Sequence, residues 1–509
     1  MSEMITAYID SMSTGFLIRQ SVVTVLLFLL GYLTVTALKR EKTDVYELLL
    51  SFPVGLSVYS VASFVLLVTG IPFNALSITL ICSFIAFVCI VTLGRRSYWN
   101  DLSKKNIVVV IITLLCITVI STSGIVPVSV SNDSMYYYHM YPHALVHNGG
   151  LRMQFNVFLT DVGQTSAILN TLPFVYGFDE SFGIQIFLVI NTLLTVIYAL
   201  YEQCSKEFDR KRSLIVSVFL AAILVCSMPY IIMSEWVMSN GYFMCFMFIC
   251  VYTAWRNGRN DKEVMGLIFL MMSLLRMEGC IVALILVLCF STLEYTGKQL
   301  FMIFLLPIIL ASVIYDIRIF LLMKIDAPYT FLTPLKAFIQ LAAIAAVSVY
   351  VLLLRDRLSD KIKKHTGIAM IAALLLVNAL LFMYNRTLYL ENARAFIGNI
   401  SNQSGWGLFP MLIIGIYAMC FIAMYKKTGY NTVYWDLCFA SYMLTAIAVS
   451  FAREHALVEN MADSGNRVML QVTLLAFFAA AVKVITLSGS SVAADNDITE
   501  KITADQEEE

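Results

Sequence analysis

The sequence predicts an all-α, polytopic membrane protein, and three observations carry that prediction. Of 509 residues, 60% are hydrophobic and 13% charged, whereas a soluble domain carries about 25% charged residues. Mean hydropathy is +0.81, and the apolar residues gather into runs of about twenty, the length a helix needs to cross about 30 Å of hydrocarbon. No alternation of about ten residues recurs, which excludes a barrel, so each span must be a helix that satisfies its own backbone hydrogen bonds. The 34 basic and 34 acidic residues cancel. A zero balance removes any case for a nucleic-acid partner.

Taken in order, the first apolar run is Phe16–Leu38. It is too long for a signal-peptide core, lacks a basic segment before it and ends in Lys39-Arg40-Glu41-Lys42, so it is expected to stay as an anchor. Further spans are expected at 46–69, 74–94, 106–128, 181–202, 213–233, 240–255, 299–323, 334–354, 367–385, 406–425, 433–452 and 467–487. Between them, 263–294 is interrupted by Arg276-Met277-Glu278-Gly279. One continuous helix would carry two charges at mid-membrane, which is expensive. Two short helices folded back at that point form a hairpin instead. The total is then about 13–15 transmembrane helices, at the roughly twenty residues per span that the bilayer sets.

Basic residues set the orientation. Lys39, Arg40 and Lys42 form one cluster, and Arg95, Arg96, Lys104 and Lys105 the next. Lys206, Arg210, Lys211 and Arg212 follow, then Arg256, Arg259 and Lys262. Arg355, Arg357, Lys361, Lys363 and Lys364 make the richest loop, and Lys426-Lys427 the last. All fall on one side when 263–294 is read as a hairpin, and that side is expected to be cytoplasmic. The chain therefore divides into N-terminal helices (1–128), an outer loop (129–180), a helical core (181–487) and a cytoplasmic tail (488–509) with seven acids and one lysine. The remaining outer loops fall at 234–239, 324–333, 386–405 and 453–466. Eleven cysteines lie mostly within spans without paired spacing, so neither a disulfide framework nor a zinc site is indicated.

The outer loop of 129–180 is where chemistry is expected, because loops this long are usually functional or disordered and this one is rich in aromatics. It begins Ser131-Asn132-Asp133-Ser134-Met135-Tyr136-Tyr137-Tyr138-His139-Met140-Tyr141-Pro142-His143. Asp133 sits a few residues past a span, where Asn-Asp-Ser is also good capping sequence. A cap and a fixed carboxylate are compatible roles. His139, His143 and His147 are spaced i, i+4, i+8 along one face, but Pro142 interrupts the helix and no carboxylate joins the stripe. Packing or anion binding fits them better than metal ligation. The tyrosines suit an aromatic belt at headgroup level. Asp161, Glu235, Arg276 with Glu278, Arg318, Arg394, Arg453 and Arg467 recur at outer span boundaries. Ionisable groups at membrane depth usually face a polar cavity, and this mixture suits an anionic ligand such as a lipid phosphate.

The segment Asp133-Ser134-Met135-Tyr136-Tyr137-Tyr138-His139, running through Pro142 to Asn148-Gly149-Gly150-Leu151, resembles the first catalytic loop of GT-C glycosyltransferases. Asn170-Thr171-Leu172-Pro173-Phe174-Val175-Tyr176-Gly177 is similar to the family's lead-in to the next span. Leu275-Arg276-Met277-Glu278-Gly279 resembles its charged junction between two short helices, and Gly465-Asn466-Arg467 its arginine before the final helix. The likeness covers the topology of about 130–490 and rests on short motifs. Two departures stand out: several spans precede the loop, and no large soluble domain follows the spans.

The resemblance implies a GT-C-like fold and an inverting transfer of a sugar from a polyprenyl-phosphate donor to a glycan, lipid or protein acceptor. The reaction would take place on the non-cytoplasmic face, with a bacterial plasma membrane the expected location. It implies Asp133 as base, Arg276 and Arg467 on the donor phosphate with His139 assisting, and Glu278 orienting Arg276. Asp161 would position the acceptor or hold a divalent metal, and Tyr137 and His143 would support the site. No cofactor is required by this reading, although a divalent metal is allowed. A polymerase or ligase of lipid-linked glycans would lean on arginines rather than Asp133. A flippase for lipid-linked sugars usually shows internal repeats, and none is visible here.

The orientation is testable. With cysteine introduced at Ser131 and at Ser359, an impermeant thiol reagent on intact cells should label the first and spare the second. The opposite pattern would invert the topology and move the 129–180 loop to the cytoplasm.

Overall fold

The computed structural model describes residues 14–38, 45–95, 136–148, 164–178, 183–226, 238–256, 262–276, 278–317, 320, 333–400, 409–427, 433–452 and 470–488. Regular structure among them is entirely helical. Eight of these helices are long and apolar enough to cross a membrane, and four shorter apolar helices accompany them. The protein is a multi-pass, all-α membrane protein. Its outward surfaces agree with that: Leu76, Leu80, Phe84, Phe87 and Val91 of one helix are all exposed. Such a stripe is a liability in water and the normal covering of a helix in lipid.

The chain falls into two compact units. One comprises Met1–Thr192 with Ile232–Met370, and the other Leu193–Ile231 with Ile371–Glu509.

The first unit begins with α1 (Thr14–Leu38), α2 (Val45–Thr69) and α3 (Ala75–Arg95). The backbones of α1 and α2 touch. A Cβ added at Gly31 would lie 1.7 Å from the Ser51 carbonyl oxygen, and one at Gly55 would lie 1.9 Å from that of Leu27. Small residues permit such approach, which drives helix association where lipid removes the hydrophobic contrast.

Pro53 lies inside α2 and cannot donate to the Leu49 carbonyl one turn earlier. Hydrocarbon offers that carbonyl no water. Asn191 supplies the missing donor, its Nδ2 lying 2.8 Å from Leu49 O.

The 129–180 loop contributes a π-turn at Tyr136–Met140, then α4 (Tyr141–Asn148), α5 (Gln164–Leu169) and α6 (Leu172–Val175). Pro142 was expected to interrupt a helix here. It falls in the first turn of α4, where its missing N–H is tolerated, and the widened turn lies just before it.

Next in the chain come α7 (Ile184–Cys204), which passes into the second unit after Thr192, α8 (Arg210–Val225), which belongs to the second unit, and α9 (Ser239–Trp255), back in the first. α8 starts earlier than the expected 213–233 because Asp209 caps it, Oδ1 accepting from the Lys211 and Arg212 amides at 3.0 Å each. At the opposite end of α9 from Ser239, the Arg256 guanidinium sits 4.6 Å over the Tyr46 ring, and the Tyr46 hydroxyl bonds Thr253.

The interrupted segment forms α10 (Lys262–Leu275) and α11 (Gly279–Phe290), and they fold back as a hairpin. The Phe269 and Phe290 rings are 5.9 Å apart, whereas one continuous helix would separate them by about 31 Å at 1.5 Å per residue. The turn is tight: a Cβ at Gly279 would lie 2.7 Å from Ser273 O.

The unit continues with α12 (Gly297–Leu300), a π-turn at Phe301–Leu305, α13 (Leu306–Asp316) and α14 (Pro334–Val349). Arg355, counted above among loop cations, is in fact buried. It donates to Ser291 O and Leu293 O just past α11, the latter at 2.6 Å, and pairs with Asp356 at 3.0 Å. Asp356 in turn accepts the Gly297 amide at 2.8 Å. The clip satisfies the end of one helix and the start of another.

α15 (Asp360–Tyr384) crosses between the units and begins two turns before the expected 367. In the second unit, α16 (Arg386–Ile400) occupies what was expected to be the 386–405 loop, followed by α17 (Phe409–Lys427), α18 (Val433–Ala452) and α19 (Leu470–Ser488). Lys483 is buried, its Nζ 2.6 Å from Asp436 Oδ1, and the Tyr417 hydroxyl donates to the same oxygen at 2.7 Å. A lysine this deep persists only because it is paired.

The Pro53–Asn191 arrangement predicts a double-mutant cycle. Asn191→Leu should cost about 1–3 kcal/mol of stability by stranding the Leu49 carbonyl. In a Pro53→Ala background the restored N–H should remove most of that cost. Equal costs in both backgrounds, measured by unfolding in bicelles, would show that Asn191 serves something else.

Candidate functional site

The site grows from the α10–α11 turn. Arg276 ends α10 and Glu278 precedes α11, and their side chains meet with Arg276 Nε 2.5 Å from Glu278 Oε1. Both are largely sheltered, at 20% and 15% side-chain exposure, which is enough access for a ligand and too little for full hydration. Arg276 Nη1 also donates to Ser239 Oγ at 2.8 Å and to Asn240 Oδ1 at 2.6 Å. Ser239 and Asn240 open α9, so the guanidinium joins the hairpin turn to the beginning of the neighbouring helix.

The 129–180 loop reaches the same place. The Tyr138 hydroxyl donates to Ser239 Oγ at 2.8 Å. Ser239 thus accepts from both the loop and the hairpin turn. The later part of the loop is fastened by other bonds: the Tyr242 hydroxyl to Asn170 Oδ1 at 3.3 Å, and Tyr59 with Thr171 at 2.7 Å. Gln185 closes the same end of α9, its Oε1 accepting the Met238 amide at 3.0 Å.

His139 and His143 both approach Phe174 edge-on, with ring centroids at 5.2 and 5.3 Å. His143 and His147 lie 4.2 Å apart, so the three histidines do share one side of the segment. Aromatic rings are among their contacts. Among the described residues, no three His, Cys, Asp or Glu side chains converge to hold a metal ion.

Of the residues singled out from sequence, Arg276, Glu278, His139 and His143 lie among the described residues. Tyr137 is placed within the π-turn by its backbone. Asp133, Asp161 and Arg467 lie outside the described residues, as do Glu235, Arg318 and Arg453. Arg394 is exposed on α16, in the second unit.

Ser239 and Asn240 escaped the sequence reading, because they are uncharged and charge was the signal followed; Tyr138 entered it as part of the loop motif and aromatic belt, with no sign of its bond to Ser239. Asp316, two residues before Arg318, was not singled out either. It closes α13 beside the hairpin turn, where the Tyr315 hydroxyl donates to Leu274 O at 2.9 Å. Its Oδ1 is buried with no hydrogen-bond partner among the described residues. A buried acceptor in that condition calls for a donor.

The pairing of Arg276 with Glu278 has a chemical consequence. The guanidinium is already neutralised, so an anionic ligand must share it with a carboxylate or displace that carboxylate. Such a site discriminates by geometry more than by bulk charge. Compared with known protein families, curated proteins and solved structures, the chain matches none.

The pair also predicts its own energetics. Arg276→Met alone should destabilise strongly, by about 3–5 kcal/mol for a fully buried pair and less at this exposure, because Glu278 loses this ion pair. Adding Glu278→Leu should recover most of that loss. Thermal unfolding in detergent reads the cycle. Additive losses would mean that the two charges act independently.

Proposed function

We propose that this protein is a membrane glycosyltransferase of the GT-C type. It would transfer a sugar from a polyprenyl-phosphate donor to a glycan, lipid or protein acceptor on the non-cytoplasmic face, with inversion. The observation that carries this reading is the junction at Ser239, where Tyr138 and Arg276 bond one hydroxyl. Tyr138, which follows Asp133 by five positions in the sequence, is thus bonded beside the proposed phosphate-binding turn.

In this reaction the acceptor hydroxyl attacks the anomeric carbon while Asp133 takes its proton. The bond from that carbon to the donor phosphate oxygen breaks, and the polyprenyl phosphate leaves with the electron pair. The leaving group is already a stable anion, so it needs cations more than a strong acid. Arg276 and Arg467 fill that role, with His139 assisting and Glu278 setting the guanidinium plane. Asp161, Tyr137 and His143 are assigned to acceptor positioning and support.

The decisive variant is Asp133→Asn, which keeps the side-chain volume and can still cap a helix but cannot take the proton. Base catalysis contributes typically 10² to 10⁴-fold. Transfer by purified protein, supplied with a polyprenyl-phosphate sugar and an acceptor, should fall by about that factor while expression and donor binding persist. Equal transfer by variant and parent would remove Asp133 as base and favour an arginine-dependent polymerase or ligase. No transfer by the parent with any lipid-phosphate sugar would favour a transporter.

A further inference from the structure

α16 (Arg386–Ile400) does no work in the proposed reaction and has an unusual surface. It starts two residues after the end of the membrane-crossing part of α15, His365–Tyr384. Asn385 caps it, Oδ1 accepting the Leu388 amide at 3.1 Å. The chain turns sharply there, since the Tyr389 hydroxyl reaches Asn378 Oδ1 at 3.2 Å. Along a straight helix those residues would be about 16 Å apart.

α16 cannot be a span. Its 15 residues extend about 22 Å at 1.5 Å each, short of about 30 Å of hydrocarbon, and it carries Arg386, Glu391 and Arg394. One face is committed to protein: Asn392, Ala395 and Phe396 are buried at 1%, 4% and 3% exposure. The opposite stripe, at i, i+4, i+8 and i+11, is Arg386, Leu390, Arg394 and Ile397. Leu390 and Ile397 are exposed at 47% and 65%. Arg394 is exposed and makes no hydrogen bond or ion pair among the described residues, while Arg386 lies 5.8 Å over the Phe382 ring. Glu391 flanks the stripe.

Apolar residues alternating with arginines about 12 Å apart along a helix match a surface that is greasy below and anionic above. The nearest such surface is the bilayer that α15 has just crossed. We propose that α16 lies on the membrane surface as a binding site for anionic phospholipid headgroups. Leu390 and Ile397 enter the acyl boundary, and Arg386 and Arg394 reach the phosphates as snorkelling cations. This inference does not depend on the glycosyltransferase reading.

The test uses the full-length protein in nanodiscs of mixed phosphatidylglycerol and phosphatidylcholine. A photo-crosslinking phenylalanine analogue placed at Leu390 or Ile397 should capture lipid, and the same analogue at Phe396 should capture only protein. Mass spectrometry of the adducts should show phosphatidylglycerol over-represented relative to the disc. Arg386→Gln and Arg394→Gln should each reduce that excess by about fivefold, the factor one charge is worth beside an anionic surface. Both positions are exposed, and unchanged melting of the variants in detergent would exclude a folding defect. Protein adducts or none at Leu390 and Ile397 would overturn the membrane placement. Adducts in the disc's own lipid ratio, unaffected by the arginine changes, would overturn the headgroup site.

Discussion

Hydrocarbon supplies no hydrogen-bond partners, and that one constraint accounts for the long-range polar contacts on which the described helices depend. Wherever the chain departs from an uninterrupted apolar helix, a polar group has to be met from within. Pro53 frees the Leu49 carbonyl, and Asn191 meets it. Lys483 enters a span, and Asp436 meets it. The chain leaves α11 with carbonyls exposed, and Arg355 meets them. These polar contacts join distant stretches of chain, where close backbone packing such as that of Gly31 against Gly55 does the rest.

The α10–α11 hairpin is the largest such departure, and it places charge where an apolar span would have none. Two helices of 14 and 12 residues are each too short to cross the bilayer alone, at about 1.5 Å per residue. Their packing is aromatic along the arms, with Phe269, Phe290 and Phe304 mutually in contact, and ionic at the turn. An apolar stem thus holds a polar tip in one place. Positioning of this kind is what a binding or catalytic group requires, whichever ligand the site takes.

The 129–180 loop is tied to that tip by neutral groups. Tyrosine, serine and asparagine hydroxyls and amides connect the loop, α9 and the hairpin turn without adding charge to be desolvated. Neutral hydrogen bonds in a sheltered site fix geometry at a lower desolvation cost than further ion pairs would. The arrangement leaves one guanidinium–carboxylate pair and one unsatisfied carboxylate oxygen, on Asp316, as the strongly polar features of the described site.

The sequence by itself determined the helical class, the positions of most spans and the break at 276–279. All three follow from local quantities: the length of an apolar run, and the cost of a charge within it. It misjudged the start of α8 by three residues and that of α15 by about two turns, because capping by Asp209 and helix continuation through a basic stretch carry no hydropathy signal. It missed α16 altogether, since a surface helix with three charges looks like a loop to any measure of apolar length. Only the tertiary structure decided the partners. Ser239 and Tyr138 are 101 residues apart in the chain, and Asn191 and Leu49 are 142 apart. Hydropathy shows that a buried polar group needs a partner, but which residue answers depends on how the helices pack, and packing is a property of the whole fold.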